Sequence, residues 1–185
     1  LEATPQQSTE PNIILFMSGA LGCCELSFMS DISKQIGAYY VSREQIQNNR
    51  LDTSSRITHP ELAVLLLRPL LVGSDVASDV FFNSKKSREG VIDPIAQFSG
   101  AITIGLNIEV SEDTAVSRIT EWQKDGYRFA DPFASPMHAY RTQSGRRSPI
   151  EYDEVDLLYE LDGNLCTTVL TDLVLSRLDD DRLVN

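Results

Sequence analysis

The sequence has few of the residues that cross-link small secreted domains or form metal centres. It contains three cysteines and two histidines in 185 residues. Cys23, Cys24 and Cys166 form no Cys-x-x-Cys pair, and His59 and His138 lie far apart in the chain. A disulfide framework and a zinc site both need denser patterns than this. We therefore expect neither a disulfide framework nor a bound metal ion.

Basic residues are also scarce. Sixteen Lys and Arg residues stand against 27 Asp and Glu residues, which gives a formal net charge of −11. Nucleic acids and anionic membrane surfaces are bound through clustered Lys and Arg side chains. The only short basic cluster, Arg146-Arg147 near Arg141, is too small to reverse the acidic balance. Neither nucleic acid nor a membrane surface is expected as the main partner.

Long hydrophobic runs are absent as well. The longest unbroken apolar stretch in the middle of the chain, Leu62 to Leu67, stops at Arg68, whereas a membrane span needs about 20 residues. We interpret the polar residues 1–11 as a flexible leader and residues 12–185 as a single domain, long enough to bury about 70% of its unfolded surface. The unpaired thiols and the lack of an evident signal segment predict an intracellular and cytoplasmic setting.

Short apolar runs alternate with helical repeats along the chain. The predicted strands are 12–18, 39–41, 80–82, 102–110 and 157–161. The predicted helices run from Glu25 or Leu26 to Ile36, over 60–71 and 88–98, from Ser111 through Trp122, and over 137–143, 149–155 and 167–178. Strands that alternate with helices predict a doubly wound parallel sheet in a three-layer α/β/α domain.

The turn after the first predicted strand carries most of the functional information. Its residues, Ser18-Gly-Ala-Leu-Gly-Cys-Cys-Glu-Leu-Ser27, lie where nucleotide-binding α/β proteins cradle phosphate with backbone amides. The P-loop pattern also requires a Lys followed by Ser or Thr, and this turn has no Lys. Cys23 and Cys24 could form a redox or metal pair, but adjacent cysteines rarely reach disulfide geometry. Small-residue filler is the favoured interpretation.

Several segments together resemble the adenylate kinase branch of the nucleoside monophosphate kinases. They are Pro11-Asn-Ile-Ile-Leu15, Ile36-Gly-Ala-Tyr-Tyr-Val-Ser42, Leu106-Asn-Ile-Glu-Val-Ser-Glu-Asp113 with Arg118-Ile119, Gly126-Tyr-Arg128 with Asp131, and Leu158-Tyr-Glu-Leu-Asp-Gly-Asn164. The resemblance extends from about Asn12 to Leu178 and implies a P-loop NTPase fold. It also implies a phosphate loop of Gly19, Gly22, Cys23, Cys24 and Ser27, which would take magnesium ATP in an active member.

At the phosphate loop, the sequence departs from the family pattern by placing Glu25 where the family has its Lys. At about 4 Å and an effective dielectric near 20, this exchange shifts the interaction with triphosphate by several kcal/mol. Glu25 could equally be an ordinary favourable acid in a first helical turn.

The monophosphate and lid regions depart from the pattern too. The family's Thr-Gly-Asp-type turn is replaced by Arg43-Glu44-Gln45 and its clamp Arg by Asn48, and the segment between Ile46 and Pro60 is short. The family's Asp-Gly-[Phe/Tyr]-Pro-Arg segment is replaced by Phe82-Asn-Ser-Lys-Lys-Ser-Arg88. Asn83 stands where the family has Asp, and only Arg88 matches. In the lid, Trp122 replaces an Arg, while Arg128 and Asp131 keep matching places and Arg141 is a loose match.

Three functions follow from this pattern. The leading hypothesis is a pseudoenzyme that acts by protein interaction, as a scaffold or regulatory module without a cofactor, because phosphoryl transfer depends on positioning and charge neutralisation. A divergent kinase would instead use Arg88, Arg118, Arg128 and Arg141 with magnesium ATP. A nucleotide or anion sensor would bind through the loop amides without turnover.

A few side chains allow two interpretations. His138 is a surface residue in one and a general base in the other, and Trp122 either packs in the core or faces a partner. The arginines of the lid region either form an anion pocket or pair with the abundant acids. They are Arg118, Arg128, Arg141, Arg146 and Arg147.

Overall fold

The computed structural model describes residues 11–42, 46, 58–126 and 135–184. A five-stranded, fully parallel sheet forms the centre, with the order β2-β3-β1-β4-β5. The strands are β1 (Ile13–Gly19), β2 (Tyr39–Val41), β3 (Val76–Phe81), β4 (Ile102–Glu109) and β5 (Leu157–Asp162). This arrangement confirms the predicted doubly wound sheet.

The central strand β1 is buried along its whole length because helices cover both faces of the sheet. Its alternate residues point to opposite faces. One face packs on α1 (Phe28–Ile36) and α6 (Thr167–Val184), and the other on α2 (His59–Leu71) and α3 (Lys85–Ser99). The predicted three-layer architecture is therefore confirmed.

Two further helices lie at the carboxyl edge of the sheet. They are α4 (Glu112–Lys124) and α5 (Pro136–Ser144), and they complete the six helices of the described residues. Trp122 packs with Leu21 and Ile119 in a small separate cluster there, so its role is packing. No helix among the described residues is long and apolar enough to cross a membrane.

Two predicted element boundaries differ from the structure. Strand β3 begins at Val76, four residues before the predicted start, because its Ser78 is buried and donates a hydrogen bond to the Val41 carbonyl at 2.9 Å. The polar residues Ser78 and Asp79 inside the strand interrupt the apolar run from which its start was predicted. Helix α3 continues through Pro94. The carbonyl that Pro94 deprives of a partner belongs to the exposed Gly90, where water can bond it.

The predicted helix over 149–155 is wrong, since the structure has only turns there. Side chains of Asn107 on β4 and of Glu154 within the segment take backbone groups that a helix would use. Asn107 accepts a hydrogen bond from the Ile150 N–H at 2.9 Å and donates one to the Ile150 carbonyl at 2.8 Å. The Glu151 N–H donates to the Glu154 carboxylate at 3.1 Å. These bonds hold the segment in an irregular conformation.

Candidate functional site

The loop after β1 lies at the carboxyl edge of the sheet, where α/β proteins bind ligands. Its curvature depends on Gly22, whose φ is +81°. A Cβ at Gly22 would approach the Ala115 carbonyl oxygen to 2.6 Å. The loop therefore packs directly on the backbone of α4, and only glycine satisfies both conditions at this position.

Asn83 closes the start of this loop. The Gly19 N–H donates to Asn83 Oδ1 at 3.0 Å, and Asn83 Nδ2 donates back to the Gly19 carbonyl at 2.9 Å. Ser18 Oγ also donates to Asn83 Oδ1, at 3.2 Å. Residues 18–24 are all buried. The first amide of the loop is thus bonded to a side chain of the protein itself.

Arg118 holds the loop from α4. Its Nη1 donates to the carbonyls of Gly22 and Cys23, both at 3.1 Å, and to that of Gly163 at 2.6 Å. Its Nη2 donates to the Leu165 carbonyl at 3.0 Å. Arg118 is 9% exposed. The guanidinium therefore cross-links the loop after β1 with the turn after β5.

Glu25 and Ser27 precede the helix instead of opening it. Helix α1 begins at Phe28, later than predicted, and Ser27 makes no side-chain cap bond. Glu25 lies in the preceding turn, with Oε1 4.0 Å from Arg118 Nε and its side chain 49% exposed. Leu26, one of the two predicted starts of the helix, is 49% exposed. The late start leaves both Glu25 and Leu26 outside the helix.

The two loop cysteines pack against each other. Their Sγ atoms are 3.8 Å apart and both residues are buried. The hydrogen bond with Cys23 and burial raise the pKa of the Cys24 thiol well above its ordinary value. A thiol is a nucleophile or metal ligand only as the thiolate. This arrangement favours small-residue filler over a redox or metal pair.

Arg88 lies beneath this edge of the sheet and has no spare donor. Nε and Nη2 bind the two carboxylate oxygens of Glu154 at 2.6 and 2.9 Å. Nη1 donates to the carbonyls of Phe82 and Ser148, and Nη2 also to that of Pro149, at 2.8 to 3.1 Å. All five N–H groups are used. Arg88 connects α3 to the irregular segment before β5.

Glu154 carries the negative charge that pairs with Arg88, and its side chain is 8% exposed. Burial by itself would raise the pKa of Glu154. The hydrogen bonds from Arg88 and from the Glu151 N–H outweigh burial and hold that pKa below its ordinary value. Glu154 therefore stays ionised at neutral pH. Sequence analysis missed it because no spacing relates residues 66 positions apart.

Of the other predicted arginines, Arg141 pairs with an acid on α4 and Arg128 lies outside the described residues. Arg141 makes an exposed pair with Glu112, at 2.9 and 3.0 Å. Its hydrogen bond lowers the pKa of Glu112. Arg128 and Asp131, like residues 43–45 and 48, lie outside the described residues. His138 is exposed at the start of α5. Arg141 is therefore paired with an acid, one of the two arrangements expected for the lid-region arginines.

Arg147 reaches the end of β1 from the segment before β5. Its side chain is 8% exposed, and Nη1 pairs with Glu109 at 2.5 Å. Nε lies 3.4 Å from Ser18 Oγ, and Nη2 is buried without a hydrogen-bond partner. The sequence named Arg147 only as one of several lid-region arginines. No periodicity or spacing distinguishes it from Arg146.

An open depression of 530 Å³ lies between the ends of β4 and β5. It is lined in part by the carboxylates of Glu109, Glu160 and Asp162, a charge that repels phosphate. Within the described ranges, no group of three or more His, Cys, Asp or Glu side chains could hold a metal ion.

Solved kinases of very different sequence share this architecture. The chain is similar to a fungal RNA kinase (TM-score 0.65, 12% identity, 92% of this chain and 85% of that one). It is also similar to a sugar kinase from Janibacter (0.63, 12%, 92% and 95%). A third is the APS kinase from Mycobacterium tuberculosis, solved with AMPPNP and APS (0.58, 13%, 92% and 99%). No family model and no curated protein matches the sequence. The chain thus shares the three-layer fold of these kinases.

Proposed function

We propose that this domain is a degenerate relative of adenylate kinase that does not transfer phosphoryl groups and acts through protein contacts as a scaffold or regulatory module. The observation that carries the proposal is the closure of its phosphate loop by its own side chains. Asn83 occupies the Gly19 amide, and Arg118 binds the carbonyls of Gly22 and Cys23.

Charge supports the same proposal. A phosphate loop depends on free amides and a cation close to the transferred group. Here Glu25 adds a half-exposed carboxylate where the family has Lys. Arg88, the match in the monophosphate region, has every donor engaged. The described residues do not fit magnesium triphosphate, so the proposal includes no cofactor.

One observation favours a second function, anion sensing without turnover. Arg147 Nη2 is buried without a partner close to Ser18, at the end of β1. A buried unpaired donor costs about 1 to 3 kcal/mol, which an incoming anion would offset. For this function, inorganic phosphate should raise the melting temperature of the chain, and Arg147→Met should abolish that shift.

The main test is nucleotide binding and turnover. We expect no change in melting temperature with magnesium ATP, ADP or AMP at millimolar concentration, and no phosphoryl transfer to a nucleoside monophosphate. A ligand at 100 times its Kd would add about 2.7 kcal/mol, which is readily seen. An ATP-dependent shift, or product formation that Ser27→Ala removes, would overturn the proposal.

The Glu25→Lys variant sharpens this test because it restores the family's cation. Glu121→Lys is its matched control, since it makes the same change at an exposed position on α4. If Glu25 alone blocks nucleotide, only Glu25→Lys should gain an ATP-dependent shift. If closure by Asn83 and Arg118 also matters, as the proposal holds, both variants should stay unresponsive.

A further inference from the structure

One side of helix α2 is exposed and largely aliphatic. Leu62, Leu66 and Leu70 turn inward and are buried. The outward positions follow the helical repeat of three and four residues. We call them the α2 stripe: Glu61, Val64, Leu65, Arg68, Leu71 and Val72.

The aliphatic members of the α2 stripe are exposed to an unusual degree. The exposed fractions are 56% for Val64, 38% for Leu65, 60% for Leu71 and 79% for Val72. Single exposed apolar residues are ordinary, but contiguous patches mark interaction sites. Val64 and Leu65 form one exposed aliphatic pair, and Leu71 and Val72 form a second pair two turns further along, with Arg68 between them.

The charges of the α2 stripe are arranged symmetrically about the Val64-Leu65 pair. Glu61 and Arg68 each lie three residues outside the Val64-Leu65 pair. The Glu61 carboxylate also accepts hydrogen bonds from the Thr58 N–H and Oγ1, both at 2.8 Å, which fixes it at the start of the helix. An identical helix running antiparallel would place Arg68 opposite Glu61 at both ends. A parallel one would place like charges together.

We propose that the α2 stripe binds a second copy of this chain, as an antiparallel helix pair with its two-fold axis between Val64 and Leu65. A two-fold contact uses the same patch on both subunits, so the patch must be complementary to itself. The α2 stripe meets this condition in charge, because the axis places each Glu61 opposite an Arg68. The inference does not depend on the phosphate loop, so it can fail while the proposed function stands.

The contact is small. A helix of 13 residues is about 20 Å long, and a stable interface buries about 1,200 Å² or more. We therefore expect a weak dimer whose population rises with concentration. Sedimentation velocity of the 185-residue chain should show a monomer at low micromolar concentration and a growing dimer toward millimolar concentration.

The first variant test uses a matched pair of substitutions. Val64→Glu places a like charge on both sides of the axis and should weaken dimerisation at least tenfold. Val169→Glu makes the same change on α6 at a residue 42% exposed, and should leave dimerisation unchanged. A wild-type chain that stays monomeric throughout, or a dimer equally sensitive to both substitutions, would overturn the proposal.

The second test measures which residues of the two helices lie opposite each other, and it does not rely on weakening the dimer. In a Cys166→Ser background, Leu65→Cys should form a covalent dimer under mild oxidation, because the two thiols lie beside the axis. Val72→Cys should not, since antiparallel pairing separates its two copies by about 22 Å along the helix. Cross-linking through residue 72 and not through residue 65 would contradict the antiparallel arrangement.

Discussion

Two strand-to-helix turns at the same edge of the sheet are stabilised in opposite ways. The turn after β4 is capped by its own residues, and Ser111 also donates to Asn164 in the turn after β5. Ser111 caps α4 by accepting a hydrogen bond from the Thr114 N–H, and Glu112 and Asp113 follow in the first turn. The turn after β1 is not local, because Ser27 makes no side-chain cap bond. Its backbone is bonded to Asn83 and to Arg118, 64 and 95 positions away.

The comparison shows two ways of satisfying the backbone groups of a strand-to-helix turn. Amides at a helix start and in a glycine-rich loop are a ready anion site, and without an anion they need other partners. In this chain Asn83, which follows β3, accepts a hydrogen bond from the Gly19 amide, and Arg118 of α4 donates to the Gly22 and Cys23 carbonyls. The loop is therefore as much a part of the core as the strands. The turn after β4 keeps a local cap and adds bonds from Ser111 to Asn164.

Among the predicted substitutions, Arg118→Met should lower the free energy of unfolding most. It leaves four buried or partly buried carbonyls without their donor, and we expect a loss of about 3 to 5 kcal/mol in the free energy of unfolding. Urea denaturation followed by circular dichroism measures it. Arg141→Met removes an arginine from an exposed pair and should change stability little. Equal losses in the two variants would mean that Arg118 does not hold the loop.

Gly22→Ala should have the next largest effect. The left-handed backbone and the contact with the Ala115 carbonyl together predict a loss of about 2 to 4 kcal/mol. Gly37 has a similar φ, +71°, with nothing within 4 Å of an added Cβ, so Gly37→Ala should cost only about 1 to 2 kcal/mol. Thermal or urea unfolding of both variants gives the difference. If the two losses are the same, the loop is not packed tightly on α4.

The same contrast separates what the sequence could predict from what it could not. The sheet and the start of α4 were predictable because buried runs and the Ser111-Glu112-Asp113 cap are local patterns. The start of α1 was predicted too early, and 149–155 was wrongly predicted helical, because distant side chains determine both. Arg88 matched a phosphate-binding position in sequence, yet in the structure it binds Glu154. The pairing of Arg88 with Glu154 could not be predicted from residue spacing, because the two residues are 66 positions apart.

The smallest predicted effect compares the two serines at the cap positions. Ser111→Ala removes the bond from the Thr114 N–H at 3.3 Å and one with Asn164 at 2.8 Å, so we expect a loss of about 1 kcal/mol. Ser27→Ala removes no cap bond and should change the free energy of unfolding by only a few tenths of a kcal/mol. Urea titrations run in parallel resolve this difference. A loss at Ser27 equal to that at Ser111 would mean that the β1 turn is capped locally after all, and that Asn83 and Arg118 add to a cap instead of replacing it.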